Sequence, residues 1–546
     1  MNDLMKKYIT VCEDANGVLQ SISFANNENF NFAYDIVDEL ARTKPEKRAM
    51  LYVDKDKNER SFTFRDLKIF SDKTANYFSF LGIKKGDRVM LVLKRHYQFW
   101  FAILALHKLG AVVIPATHQL KEEDFNFRFD TGDINAVFCT HEDDVTEEAD
   151  KSIAGRKRDV IKIMTGPAKA GWHGFDSEME GYGEEFQRRD TRSDDPMAMF
   201  FTSGTTGYPK IVTHSFKYPL GHYVTARYWQ NVDPEGLHFT LSDTGWAKSL
   251  WGKIYGQWMC EAAVFIYDME KFVPHDFLSL FARFGITTFC APPTAYRILV
   301  KRNLEKYRLS ELKHATTAGE ALNPKVWQQF HDKTGLKIME GFGQTETTLT
   351  VCNLVGTEPR PGSMGKPSPA YDVDIVDEKG NTVNAGETGE IVIRTDKNVP
   401  CGLFTGYYGN EGKTGDCWHE GIYHTGDTAF RDEDGYFWYV GRTDDLIKSC
   451  GYRVGPFEVE SVLMELPYVL ECAATGLPDK TRGQIVKASI VLVEGIKGDR
   501  ALEKEIIEYC RQHMAHFKCP RKVEFLDEMP KTISGKIRRT ELRGDK

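Results

Sequence analysis

The sequence predicts an α/β protein whose large N-terminal part is built from helix-covered parallel sheets, with a small β-rich subdomain and a small α+β domain after it. Three observations predict it. From about residue 60 to 345, short apolar runs alternate with longer amphipathic ones, the rhythm of parallel strands covered by helices. After residue 350 the texture turns rich in Gly and Pro with short alternating strands, as in "PRPGSMGKPSPAYDVDIVDEKGNTVNAGETGEIVIR", which suggests a small β-barrel or sheet. From 445 onward short strands and helices return, over roughly 100 residues, enough for a small α+β domain.

Taken in order, "RVMLVL" (88–93) reads as a strand, and the helix after it places Phe99, Trp100, Ile103 and Leu104 on one face. "VVIPAT", "AVFCT" (136–140), "MAMFFTSG" (197–204), "AVFIYD" (263–268) and "TTFCAPP" (287–293) are further strands. In the last part, "CAATGLP" and "KASIVLV" read as strands, "EVESVLMEL" and "LEKEIIEYCRQHM" as helices. The polar stretch "GRTDDLIKSCGYRVG" (441–455) reads as a linker. These textures divide the chain into residues 1–443, with the β-rich subdomain at about 350–440, and residues 445–546.

At 546 residues the chain is too long for one core. A formal net charge of −8 argues against a general nucleic-acid or anionic-membrane binder. Eleven cysteines are scattered singly, with no C-x-x-C pair and no zinc spacing, as expected of free thiols in a reducing compartment. "MNDLMKKYIT" lacks the apolar run of a signal peptide. The most apolar segment, 99–117, carries His107, Lys108 and Gly110 and reads as a buried helix and strand rather than a membrane span. The cytoplasm is the expected location.

The chemistry starts at "TSGTTGYPK" (202–210). Ser203, Thr205 and Thr206 supply hydroxyls, Gly204 and Gly207 free backbone N–H groups for an anion, and Lys210 adds a charge. It is not a Walker loop, because the glycines are too close together and Pro209 has no N–H. By itself it also reads as a plain turn. "MEGFGQTETT" (339–348) adds Phe342, suited to a purine face, and Glu346, suited to Mg²⁺ beside phosphate oxygens or simply to a helix start. Asp427 in "YHTGD" suits two ribose hydroxyls or a turn, Arg442 stands in "GRTDD", and Lys536 stands on a Gly-flanked turn in the basic tail "PKTISGKIRR".

Together these motifs resemble, in order and spacing from about residue 30 to 543, the adenylate-forming superfamily of acyl-CoA synthetases, aryl-CoA ligases, luciferases and peptide-synthetase adenylation domains. "SDTGWAKS" (242–249), "GFGQTETT", "GYRVGPFEVES" (451–461) and "PKTISGKIRR" look most like its medium-chain acyl-CoA synthetase branch. The resemblance implies that Thr202, Ser203, Gly204, Thr205, Thr206, Gly207 and Lys210 hold the β- and γ-phosphates of ATP. It puts Gly319 and Glu320 of "GEAL" at the adenine edge, Gly341 and Phe342 beside the base, Thr345 at the α-phosphate and Glu346 on Mg²⁺. Asp427 and Arg442 are implied to grip the ribose.

The implied reaction is AMP-forming: a carboxylate attacks the α-phosphorus with Lys536 bridging the two anions, and then the CoA thiol attacks the acyl carbonyl. Between the two steps the C-terminal domain, mobile in this family, turns about a hinge matching Asp444. The turn brings Gly451, Tyr452 and Arg453 of "SCGYRVG" to the site, with Arg511 meeting the CoA nucleotide. Gly343 stands where the acetyl-CoA branch has a pocket-closing tryptophan, so longer or branched acids are expected over acetate, at about 0.8 kcal/mol per buried methylene. Trp246, Lys253 and Trp258 are expected to line that acyl pocket, or to be core aromatics and a solvated lysine.

The nearest alternative is an adenylating enzyme that loads the acyl group onto a carrier-protein phosphopantetheine. A nucleotide-binding regulator without turnover is disfavoured, because Lys536, Glu346 and the hydroxyl loop are all retained. The family also implies that acetylation of Lys536 stops the first step by removing its charge, and that a homodimer is common.

Overall fold

The computed structural model describes residues 1–202, 209–449, 452–531 and 536–543. Two large sheets, both parallel at their centres, form the bulk of it. In the eight-stranded one, Pro196–Thr202, Val112–Pro115, Arg88–Val92 and Ala136–Cys139 run parallel side by side. In the nine-stranded one, Ile338–Gly343, His314–Ala318, Thr288–Ala291, Leu237–Thr240, Ala263–Tyr267 and Arg48–Val53 do the same. Arg88–Val92, Val112–Pro115, Ala136–Cys139 and Ala263–Tyr267 are nearly continuous apolar runs, because strands covered by helices on both faces have no side facing water.

The apolar segment at 99–117 is, as expected, a helix (Gln98–Leu109) and a strand. Every residue of that helix is buried, not one face only. Its lone ammonium, Lys108, is neutralised inside by Asp38 at 2.8 Å and Asp72 at 2.6 Å. Gly110 ends it with φ 70°, and a Cβ there would lie 3.0 Å from the Thr191 methyl, so both the turn and the packing call for glycine. No helix among the described residues is long and apolar enough to cross a membrane.

The β-rich subdomain is a five-stranded antiparallel sheet that includes Asp372–Val376, Gly389–Arg394, Ile422–Arg431 and Phe437–Arg442. Among the described residues its strands pair as an open sheet, with no ladder closing it into a barrel. The last sheet joins Val469–Asp479, Gly483–Leu492 and Lys522–Leu526, packed against helices Pro456–Leu463 and Arg500–His513.

The stretch expected to be a linker is mostly strand. Phe437–Arg442 runs into it, and Ile447–Ser449 pairs antiparallel with Tyr452–Val454. Ile447 and Val454 are fully buried in the C-terminal core while their neighbours point outward, so the run's polarity is that of a hairpin with one wet face. Among the described residues of that stretch, the irregular ones are 443–446, around Asp444, and Gly455.

Candidate active site

The carboxyl ends of the parallel strands from both large sheets open into one cavity of about 1270 Å³, roofed by the small sheet and the C-terminal domain. That exceeds the roughly 300–1,000 Å³ of an ordinary small-molecule site. Thr202 ends one strand, Gly319 and Glu320 follow His314–Ala318, and Gly341, Phe342 and Gly343 end Ile338–Gly343. Lys210, Trp246, Thr345, Glu346, Asp427, Arg442, Asp444 and Lys536 line the same space. Residues 203–208, with the expected phosphate contacts Ser203, Gly204, Thr205, Thr206 and Gly207, lie outside the described residues. Their two ends are described: Thr202 stands opposite Lys210 in an antiparallel pair, so the loop joins two strands rather than a strand and a helix.

Register explains the acid–base pair. In the antiparallel ladder of the small sheet Asp427 falls directly opposite Arg442. An Arg442 guanidinium nitrogen lies 3.4 Å from the Asp427 carboxylate and donates to Thr425 O at 3.0 Å, and Arg442 Nε lies 3.5 Å from Asp444. Asp427 also accepts from Tyr439 Oη at 3.0 Å and from the Gln344 amide. Burial pushes the Asp427 carboxyl up, against the pull of Arg442, Tyr439, Gln344 and Lys536. Burial works against charge on Arg442 too, but Asp427 and Asp444 hold it above its usual range.

Glu346 is aimed by Tyr407, whose hydroxyl donates to Oε1 at 2.8 Å, and the Lys210 ammonium sits 4.7 Å over the Tyr407 ring. The Thr345 carbonyl accepts from His214 Nε2 at 2.7 Å. Burial lowers that imidazole to about 4, so it stays neutral and donates from Nε2. No group of three or more His, Cys, Asp or Glu side chains among the described residues forms a cage for a metal. A single carboxylate beside room for phosphate fits Mg²⁺, which keeps its waters and takes one or two carboxylates plus substrate oxygens.

The acyl side needs correction. Trp246 lines the cavity, but Lys253 and Trp258 do not. Trp258 is fully buried, stacks on Phe32 at 6.4 Å and donates Nε1 to Ala49 O at 3.0 Å. The Lys253 ammonium points away, to Ser242 O at 2.7 Å. On the helix Ala247–Lys253 the partly open positions are Ala247, Lys248 and Trp251, one face, and Lys248 Nζ donates to Ala318 O at 3.0 Å, next to Gly319. Gly343 faces the cavity as expected, but a Cβ on it would come within 2.4 Å of Thr348 O. Strand pairing therefore demands glycine there by itself, whatever the acyl chain.

Burial lowers Lys253 to about 7, below its value in the unfolded chain. The unfolded chain then binds more protons between about pH 7 and pH 10, so stability rises with pH across that window. Denaturation midpoints of a Lys253→Met variant are expected to rise less between pH 7 and pH 9 than those of the parent. An equal rise in both would contradict it.

On the C-terminal domain, Tyr452 is exposed and stacks on Phe517 at 4.2 Å, Arg453 pairs with Glu378, and Arg511 pairs with Glu508 at 3.3 Å. None of them lines the cavity, and Gly451 lies outside the described residues. Lys536 is in the cavity and the described residues of the expected CoA face are not.

Residues 37–408 match the family described as AMP-binding enzyme, and residues 458–536 match the AMP-binding enzyme C-terminal domain. The chain belongs to the AMP-binding enzyme family. It is 41% identical over 94% of its length to acyl-coenzyme A synthetase ACSM3, mitochondrial, of Mus musculus, covering 90% of that protein. It is 39% identical over 94% of its length to acyl-coenzyme A synthetase ACSM4, mitochondrial, of Homo sapiens, again covering 90%. Among solved structures it resembles the anthranilate CoA ligase AuaEII in complex with anthranoyl-AMP, with a TM-score of 0.85 at 29% identity over 95% of this chain and 98% of that one. It also resembles a Brucella canis acyl-CoA synthetase, with a TM-score of 0.73 at 29% identity over 95% of both chains.

In this AMP-binding enzyme, sequence reasoning missed the residues that hold the named ones in place. Gln344 donates to Thr425 O at 2.8 Å and accepts from Tyr423 Oη at 2.8 Å while also reaching Asp427. Glu340, on the cavity wall, is pushed up by burial to about 8. Gln344 and Glu340 sit inside "MEGFGQTETT", so proximity to the motif was a usable signal. Tyr407 and His214 come from distant segments, and only the fold brings them in.

Proposed function

We propose that this enzyme is an AMP-forming acyl-CoA synthetase. It activates a medium-chain or branched short-chain carboxylic acid with ATP, giving acyl-AMP and pyrophosphate, and then transfers the acyl group to the CoA thiol. The observation that carries this is the convergence of Lys536, Thr345, Glu346 and the Asp427–Arg442 pair on one cavity at the strand ends.

In the first step a carboxylate oxygen attacks the α-phosphorus and the bond to pyrophosphate breaks. Two anions must approach, and Lys536 places a compact positive charge between them. Thr202, the loop 203–207 and Lys210 take the departing pyrophosphate. Gly319, Glu320, Gly341 and Phe342 frame the base, Asp427 and Arg442 hold the ribose, and Thr345 meets the α-phosphate. Glu346 with substrate phosphate oxygens would hold Mg²⁺, which neutralises phosphate charge when bound. In the second step the thiol sulfur bonds to the acyl carbon and AMP leaves. Asp444 serves as the hinge between the domains 1–443 and 445–546, turning Gly451, Tyr452, Arg453 and Arg511 toward the cavity. Trp246 and Gly343 border the acyl chain. The proposal includes a homodimer, a cytoplasmic location and silencing by acetylation of Lys536.

Tyr407→Phe removes the hydrogen bond that aims Glu346. The Mg²⁺ concentration needed for half-maximal pyrophosphate release is expected to rise about tenfold, the low end for losing such a support. An unchanged requirement would remove Tyr407 from this role. The reading as a whole is tested with acids from acetate to dodecanoate, 2-methyl-branched members and benzoate, each with ATP, Mg²⁺ and CoA. Thioester and AMP in equal amounts, greatest above acetate, support it. Pyrophosphate and bound acyl-AMP without thioester would move the acceptor to a carrier protein.

A further inference from the structure

We propose that Asp445 is a positioning residue for the first half-reaction, holding the C-terminal segment that carries Lys536 through Arg539 and Arg543; this rests on the role of Lys536 given above. Asp444 and Asp445 adjoin in sequence but face different partners. Asp444 meets Arg442 of the small sheet, whereas the buried Asp445 carboxylate receives Arg543 on one oxygen and has an Arg539 guanidinium nitrogen 3.7 Å from the other. Arg539 also donates to Glu460 of helix Pro456–Leu463 at 2.7 Å. Two carboxylates and two guanidinia thus balance in a half-buried cluster, and all four residues border the cavity.

The segment between is anchored at both ends. On either side of Lys536, Lys531 and Ile537 bridge antiparallel, and Arg538 N donates to Pro530 O at 2.9 Å. Downstream, Leu542 is buried against Ala473, Val491 and Met529, and its carbonyl accepts from Lys487 Nζ at 3.0 Å. Removing the Asp445 charge leaves two guanidinia against the single carboxylate of Glu460, which pairs with Arg539, in a half-buried setting, a costly imbalance. The helix Arg539–Arg543 then loses its tie to the hinge, and with it goes the placement of Lys536. An attack between two anions is sensitive to placement errors of about 1 Å.

The test separates the half-reactions in the parent, Lys536→Ala, Asp445→Asn and Arg543→Ala proteins. Acyl-AMP formation is followed by pyrophosphate release without CoA, and thioester formation is followed from synthetic acyl-AMP and CoA. Asp445→Asn is expected to slow acyl-AMP formation about 10²-fold while thioester formation stays within about threefold, with Arg543→Ala shifted in the same direction. Equal loss of both steps would mean a merely structural residue and overturn the inference. So would an unaffected Asp445→Asn beside an impaired Lys536→Ala. Undiminished acyl-AMP formation in Lys536→Ala would overturn the functional reading and this inference together.

Discussion

In a Lys536→Ala variant, acyl-AMP formation falls about 10³-fold while thioester formation from supplied acyl-AMP is retained, the upper range for losing one preorganised electrostatic group. Lys536 lines the cavity that also holds Thr345 and Glu346, and its charge is felt by the buried Asp427 carboxyl. In the proposed first step that charge would lie where carboxylate and phosphate repel. In the second step a thiol meets a carbonyl and the repulsion is gone. Lys536→Arg is not expected to rescue the loss, because a planar guanidinium is broader than an ammonium and spreads its charge. Equal loss of both steps would contradict the assignment of Lys536 to the first.

Trp258→Ala costs about 3–5 kcal/mol of stability, the range for truncating a fully buried Trp or Phe, without changing which acid is preferred. Its indole has no exposed surface, stacks on Phe32, meets Phe64 edge-on at 6.4 Å and satisfies Ala49 O. Truncation opens a void in the core and removes the indole's hydrogen bond to Ala49 O. Trp246→Ala, on the cavity wall, is expected to do the opposite: little change in stability and a shift toward bulkier acids. Denaturant midpoints and the acid panel, run on both variants, check the pair. A changed acid preference in Trp258→Ala at unchanged stability would contradict the burial argument.

These two tryptophans show where the sequence is legible and where it is not. The helix Ala247–Lys253 ends at Ile254, whose φ of −142° and ψ of −77° break the helical phase before Tyr255–Met259 begins. Spacing counted across that break cannot place Trp258 relative to Trp246, and Lys253 and Gln257 between them are buried although polar. Some central strands, by contrast, are readable because burial on both faces leaves apolar runs such as Val89–Val92, whereas Leu237–Thr240 and His314–Ala318, with buried His and Thr, carry no such run. Asp427 and Arg442 could each be named from a motif, but their pairing depends on antiparallel register, which neither motif encodes. The hairpin at Ile447–Ser449 and Tyr452–Val454 was hidden by its polar face. Tyr407 and His214 carry no local signature at all.

One cavity is proposed to form an acyl-adenylate and then resolve it with CoA. The most direct measurement uses hexanoate carrying ¹⁸O in both carboxylate oxygens, with ATP, Mg²⁺ and CoA, and follows the label by mass spectrometry. Attack on the α-phosphorus followed by thiol attack on the acyl carbon leaves one ¹⁸O in AMP and one in the thioester, with none in pyrophosphate. Label in inorganic phosphate, with ADP as the nucleotide product, would contradict the account.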